Sequence, residues 1–235
     1  FHAVSINEIY NNASSGSASN CPSETSINNN APIIISVPDY TIPYGTAFIL
    51  DCEASDLEND NLTYTWEQTD NGVASVPPAS TSTNGALFRS NNPSEDSFRY
   101  FPSLSSVIAG NLYPTWEVIP DVARQMNFAV TVRDNNILGG QSSRENTTLT
   151  VANTGPFQVT SQSVSGISYD QNQEVEITWD VAGTDANGIN TQFVNILLSY
   201  NAGLQFSEVI ATNVPNTGSA MVNIPQGSNS PVCKI

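Results

Sequence analysis

Positive charge is almost missing from this sequence. Lys234 is its one lysine, and six basic residues in all stand against 22 acidic ones across 235 residues, for a formal net charge of −16. Nucleic-acid binding needs clustered Lys and Arg to displace counterions, so that class is excluded. An anionic membrane surface would repel the chain for the same reason. Histidine is equally scarce: His2 stands alone in an N-terminal tail. One histidine there serves neither a Ser-His-Asp triad nor an H-E-x-x-H zinc helix, which needs two on one helical face. No run of about 18 apolar residues offers a membrane span, and no basic stretch precedes an apolar one at the start as in a signal peptide. Phe1 in place of an initiator Met points to a processed or excised piece of a longer polypeptide. Three cysteines make no disulfide framework. Cys52 and Cys233 fall in strand-like apolar patterns and are expected as buried free thiols. Cys21 sits in polar sequence, and its partner is expected in a part of the parent chain outside this sequence.

What the chain has is alternation. In Pro43–Gln68, Phe48, Leu50, Cys52 and Ala54 alternate with Ile49, Asp51, Glu53 and Ser55; after an acidic turn, Leu62, Tyr64 and Trp66 alternate with Thr63, Thr65 and Glu67. A period of two places each apolar set on one face of a strand. A Trp on the inward face of a central strand fills the core of a two-sheet sandwich. The turn, Asp56-Leu57-Glu58-Asn59-Asp60-Asn61, puts carboxylates at every second position, a spacing that lets oxygens converge on calcium, which takes about six to eight of them. Asp134, at the end of a later strand, joins Asp56, Glu58 and Asp60 if that strand ends beside the turn. The bland alternative is a solvated acidic hairpin. Asp180 and Asp185 are weaker candidates of the same kind.

In chain order, residues 1–30 read as a helical tail plus polar linker. Ser5-Ile6-Asn7-Glu8 has capping-box spacing, so a short helix is expected from Ser5, the last helix of a domain upstream. Residues Asn11–Asn30 are small and polar, a linker. Residues 31–152 read as a first sandwich, with strands at Ile33–Val37, the two arms above, Phe98–Phe101, Asn127–Arg133 (Phe128, Val130 and Val132 inward) and Arg144–Val151. A long connection, 72–125, interrupts it; connections of that length are seldom passive. Residues 156–235 begin a second sandwich, where Val175, Ile177 and Trp179 repeat the inward pattern. Phe193–Tyr200, Ala220–Ile224 and Pro231–Ile235 supply further strands. About 100 residues are usual for such a domain, so a last strand or two is expected beyond Ile235.

Several separated motifs resemble one family. Asn30-Ala31-Pro32, Leu62-Thr63-Tyr64-Thr65-Trp66-Glu67-Gln68, Arg99-Tyr100-Phe101-Pro102, Thr115-Trp116-Glu117 and Phe128–Asn135 are similar to the region that follows the catalytic domain in secreted bacterial reprolysin-like zinc metallopeptidases of the Bacteroidetes type. Ile177-Thr178-Trp179-Asp180 with Val214-Pro215-Asn216-Thr217-Gly218 resembles the next module of those proteins, and Phe1–Ile6 the stretch that closes their protease domain. The resemblance implies an all-β fold of two tandem Ig/fibronectin-III-like β-sandwiches behind a short N-terminal helical tail and linker. It implies a non-catalytic accessory region, extracellular or at the cell surface, whose partner is the upstream protease domain of the same parent chain. The family binds zinc through H-E-x-x-H, which this chain lacks, so no zinc site and no enzyme activity are expected here.

Two further readings concern surfaces. Tyr100, Phe101, Tyr113 and Trp116, in or beside the long connection, are candidates for a ligand surface on extracellular protein or polysaccharide, with Tyr100, Tyr113 and Trp116 foremost. The alternative function is therefore a stand-alone adhesion or carbohydrate-binding module. The competing structural role for these rings is to cover a sheet edge. The five arginines of the first sandwich are expected to pair with carboxylates such as Glu67, Glu95, Asp96, Glu117 or Asp121. Glu67 and Glu117, imagined as an acid/base pair for glycoside hydrolysis, are weak candidates because each simply follows a Trp in a strand-like run.

Overall fold

The computed structural model describes residues 2–20, 25–72, 75–226 and 230–235. In chain order the elements are α1 (Ala3–Ser14), β1 (Ile33–Ser36), β2 (Tyr40–Pro43), β3 (Phe48–Leu50), β4 (Glu53–Ser55), β5 (Thr63–Gln68), β6 (Arg99–Phe101), α2 (Leu104–Ile108), β7 (Arg124–Arg133) and β8 (Ser142–Ala152), followed by β9 (Gln158–Val159), β10 (Glu174–Asp180), β11 (Phe193–Leu198), β12 (Glu208–Pro215) and β13 (Ser219–Asn223). The fold is all-β: strands of two sandwiches carry both hydrophobic cores, and among the described residues α-helix is confined to α1 and α2.

In the first sandwich one layer runs β2-β8-β7-β5; the other is made of the pairs β1-β4 and β3-β6. The first arm is one strand in sequence but two in space, parting at Asp51–Cys52 so that β3 pairs with β6 and β4 with β1. The opening strand changes layers. β1 is antiparallel to β4, and β2, just past Pro38, is parallel to β8 in the opposite layer. Pro38 lacks the N–H that would continue the first pairing. The crossing is pinned by Thr147 Oγ1 donating to the Pro38 carbonyl (2.7 Å) and the Thr148 N–H donating to Asp39 Oδ1 (2.7 Å). This layer switch, with Trp66 on the strand beside the long central β7, is immunoglobulin-like connectivity. The alternation in Tyr40–Pro43 is too short to have marked β2 in the sequence.

The core is aromatic. Phe48 stacks on Phe101 with centroids 4.9 Å apart, and Phe101 meets Phe128 edge-to-face at 5.1 Å. Each such side chain contributes about 1.5–3 kcal/mol by leaving water. Trp66 is buried against them, its Nε1–H satisfied by the Ser97 carbonyl at 2.9 Å. The long connection is not an external loop. It contributes Leu87, Phe88, Val118 and Ile119, all buried, and holds β6 and α2.

The second sandwich sets the β13-β10-β9 sheet against the β11-β12 pair, with Val175, Ile177, Trp179, Ile196 and Val222 between them. Trp179 Nε1 donates to Asn216 Oδ1 (2.8 Å), and Asn216 Nδ2 to Thr184 Oγ1 (3.0 Å), so this buried indole is also satisfied. No clean alternation of apolar residues marks β12 in the sequence. The expected strand Pro231–Ile235 is present as one antiparallel bridge, Ser199 with Lys234. Cys233 is exposed, not buried, although Lys234 beside it pairs with Ser199 at the end of β11; Cys52 is buried as expected.

α1 corrects the reading of the tail. It starts two residues before Ser5, runs to Ser14 into the expected linker, and has no side-chain cap of its own. Its cap comes from β5, described below. Ala129 and Thr131, on the outward side of β7, are buried, and α1 lies against that strand. The residues joining the two sandwiches are also tied down. The Tyr44 N–H donates to the Thr154 carbonyl (2.9 Å), and the Phe157 N–H to Thr46 Oγ1 (3.0 Å). Gly155, at φ 135°, is required there: a Cβ would stand 2.4 Å from the Tyr44 carbonyl oxygen.

Candidate functional site

The acidic turn and the end of β7 do meet, as the sequence suggested. Asn136 joins them: its N–H donates to Asp134 Oδ1 (3.1 Å) and its Nδ2 to Asp60 Oδ2 (2.8 Å). Asp56 Oδ1 caps the turn itself, accepting the N–H groups of Glu58 and Asp60 at 3.0 Å each. Glu58 is held by Asn30 Nδ2 at 2.6 Å. Asp134, nearly fully buried, also accepts Asn29 Nδ2 (2.6 Å) and the Gln141 N–H (2.9 Å). Side-chain amides thus occupy the spaces between these carboxylates. Among the described residues no three acidic, imidazole or thiol groups converge closely enough to hold a metal ion. Asp56 Oδ2 is buried and has no hydrogen-bond partner. Asn29 and Asn30 fall in the stretch whose composition reads as linker. The only signal was the run Asn28-Asn29-Asn30, which does not distinguish a docked asparagine from a solvated one. In the second sandwich Asp180 turns its Oδ1 on the Ala182 N–H (2.8 Å), and Asp185 offers its carbonyl to Gln192 (2.7 Å), so each serves its own loop.

Glu67 and Glu117 are both committed to structure. Glu67 accepts from His2 Nδ1, from the Ala3 N–H at the start of α1 (2.7 Å) and from Ser90 Oγ (2.7 Å). Burial pushes its carboxyl up, but the bonds from Ser90, His2 and Ala3 outweigh this and hold it below the usual carboxylate range. Glu117 takes Arg99 Nη2 at 2.9 Å and the Ser103 N–H at 3.0 Å. Arg99, itself partly buried, also donates to the Trp66 and Arg89 carbonyls (2.7 and 2.8 Å) and lies over the Phe101 ring. A lowered Glu67 cannot act as general acid near neutral pH, and neither carboxylate is free as a base. Of the expected arginine pairings, Arg99 with Glu117 is formed; Arg124 instead faces Asp70 at 4.0 Å. Cys21 lies outside the described residues.

The candidate aromatic surface is dispersed. Tyr113 is half exposed, and its hydroxyl donates to Asp121 Oδ1 (2.8 Å). Trp116 is half-buried, with the Arg89 guanidinium 5.6 Å over its ring. Its φ of 72° is uncommon for a bulky residue and is fixed by the Arg89 N–H donating to its carbonyl at 2.9 Å. Among the described residues no ring contact joins Tyr100, Tyr113 and Trp116; Tyr100 packs edge-on against Phe98, 5.5 Å away.

Tyr100 instead lines an open apolar cleft of about 990 Å³ between the two sandwiches. Phe48, Ile49, Phe98 and Tyr100 form one wall, and Val159, Ile177, Trp179, Val194 and Ile196 the other. α2 closes one side, where Ile108 lies against Gly203. Asp96 is the one charged residue in the lining. Such a wall is suited to apolar matter. Sequence reasoning missed the cleft because its residues belong to strands 100 or so positions apart.

No protein-family model matches the chain, and no curated protein does. Among solved structures, the chain is similar at 11% identity to one titled "Structural basis for Dscam isoform specificity", over 86% of this chain and 40% of that one, with a TM-score of 0.28. It is similar at 12% to Sidekick-1 immunoglobulin domains 1–5, over 86% and 34%, also at 0.28. For the titin Ig tandem domains A164–A165 the identity is 11%, over 86% of this chain and all of that one, with a TM-score of 0.24. The chain thus spans well under two thirds of the first two. At these scores the immunoglobulin-like description rests on the strand connectivity above.

Proposed function

We propose that this chain is a non-catalytic accessory region of a secreted zinc metallopeptidase, orienting the protease and holding it at a fixed distance from its next module. The observation that carries the reading is α1. In the resemblance the stretch around Phe1–Ile6 closes the protease domain, and here the helix it opens is seated by its first N–H on the buried Glu67 of the first sandwich. A helix capped from the neighbouring domain transmits orientation, where a solvated linker would not. Peptidase activity belongs to a catalytic domain encoded upstream, and this chain alone hydrolyses nothing. The test is the reading frame preceding the Phe1 codon. An H-E-x-x-H motif with a third downstream histidine supports the reading; an upstream frame without it overturns it.

Calcium at the acidic turn belongs to the same proposal. Asp56 Oδ2 lacks a partner, and an ion there would draw in Glu58, Asp60 and Asp134 in place of the Asn29 and Asn136 amides. A hundredfold excess over Kd adds about 2.7 kcal/mol, worth several degrees of Tm. The expected result is a higher melt in millimolar calcium than in EDTA, lost in Asp60→Ala; superimposable melts remove the ion.

A further inference from the structure

The stretch from Arg89 to Arg99 loops along the edge of β5 that β7 leaves open. Tyr64 and Ser94 exchange both backbone hydrogen bonds there (2.7 and 2.9 Å), and the Trp66 indole holds the Ser97 carbonyl. Arg99 Nη2 shuts the base of the loop by donating to the Arg89 carbonyl (2.8 Å). Between loop and strand lies a pocket of about 200 Å³. The Arg99 side chain, 9% exposed, is part of its lining. Nη1 is committed to the Trp66 carbonyl, and Nη2 to Arg89 and Glu117, but the buried Nε–H has no acceptor. Buried N–H groups are nearly always paired, so an orphaned one beside a pocket marks a place for a ligand oxygen. The rest of the lining is of two kinds. Asn91, Asn92, Ser94 and Asp96 supply amide, hydroxyl and carboxylate groups; Tyr64, Trp66 and Phe98 supply rings.

We propose that this pocket binds one neutral pyranose ring, either a free sugar or the end of a glycan. A pyranose matches both kinds of lining. Its C–H face lies on an aromatic ring, and its hydroxyls donate and accept together, as amides, a serine and a carboxylate require. Phe98, 38% exposed, is the ring open to such a face. The volume falls below the ~300–1,000 Å³ of sites that enclose drug-sized ligands, so it suits a single ring and not a buried chain. Charge narrows the class further. Arg99 is already met by Glu117 at 2.9 Å, so its Nε offers a hydrogen bond without a net positive charge. With Asp96 in the wall and −16 on the chain, carboxylate, sulfate and phosphate ligands are repelled. The wall is also preformed: the Asp96 N–H donates to Ser94 Oγ (3.1 Å), and the bonds to β5 hold the loop before any ligand arrives.

The probes are the methyl glycosides of glucose, galactose, mannose, fucose and N-acetylglucosamine, with N-acetylneuraminic acid as the anionic control. Each is read by saturation-transfer NMR on the 235-residue protein. At least one neutral glycoside is expected to saturate below about 10 mM, within reach of a ligand of about a dozen heavy atoms. Replacing both exposed amides, Asn91→Ala with Asn92→Ala, is expected to weaken binding about tenfold or more at an unaltered Tm. Asp96→Asn separates the two signs of ligand: a neutral sugar binds it more weakly, an anion more tightly. The proposal is overturned by silence from the whole set, by undiminished binding in the folded double variant, or by N-acetylneuraminic acid as the tightest ligand. The disaccharide glycosides of the best binder distinguish the source. Equal or tighter binding with saturation confined to the terminal ring supports a glycan end, and loss of binding supports a free sugar. None of these outcomes depends on what is encoded upstream of Phe1.

Discussion

Cys52 occupies the inward face of the first arm, where immunoglobulin domains place one half of their cross-sheet disulfide, beside the buried Trp66. On the long central strand β7 the inward residues are Met126, Phe128, Val130 and Val132, so no cysteine thiol faces it from that strand and apolar packing fills the site. Burial, reinforced by Asp51, pushes the Cys52 thiol up to about 12. Almost none of it is thiolate at neutral pH, and thiolate is the reactive form. In a Cys21→Ser background, Ellman's reagent is therefore expected to label one thiol promptly, the exposed Cys233, and Cys52 only after denaturant is added. Prompt labelling of two thiols would contradict the packing around Cys52. The alternation in the sequence located Cys52 correctly. It misplaced Cys233, because a strand pattern at a chain segment says nothing of whether a neighbour covers it.

At the scale of elements, the strands with regular period-two patterns, β5, β7, β8 and β10, were legible, and so were Trp66 and Trp179 as core residues. What was not legible was what lies across from them. Glu67 reads as the outward residue of β5, yet it is buried because the helix start of α1 sits on it. Asn29 reads as linker, yet it is bonded to Asp134. Both depend on partners more than 60 residues away in sequence, which local periodicity does not encode. Glu67→Gln removes the charge and turns an amide toward donors. The expected loss is about 1–3 kcal/mol of stability, with reduced helical signal as α1 leaves β7. The pH dependence follows from the sign of the shift. A carboxyl lowered in the folded state stabilises fully above its ordinary value, near 4.5, and that contribution disappears as pH falls through the lowered folded value. The wild type is thus expected to exceed Glu67→Gln above about pH 5, and the two to converge in stronger acid.

For the whole molecule, the two cores are separate: among the described residues thirteen buried ones form the first cluster and five the second, joined by residues 153–156 and a few hydrogen bonds. Separate cores of unequal size melt separately. Calorimetry is expected to show two transitions, the lower from the second sandwich. Ile177→Ala, which empties a fully buried site, costs about 2–5 kcal/mol and should move the lower transition down while leaving the upper one in place. A joint shift would mean that the cleft couples the two.

The parallel pairing of β2 with β8 has a mechanical consequence. Tyr40, Thr41, Ile42 and Pro43 lie opposite Leu149, Thr150, Val151 and Ala152, one strand entering the first sandwich and the other leaving it toward the second. Tension along the polypeptide pulls two parallel neighbours in opposite senses. Their hydrogen bonds are then loaded together in shear and cannot be unzipped one at a time, so this short patch is where the first sandwich resists being drawn out.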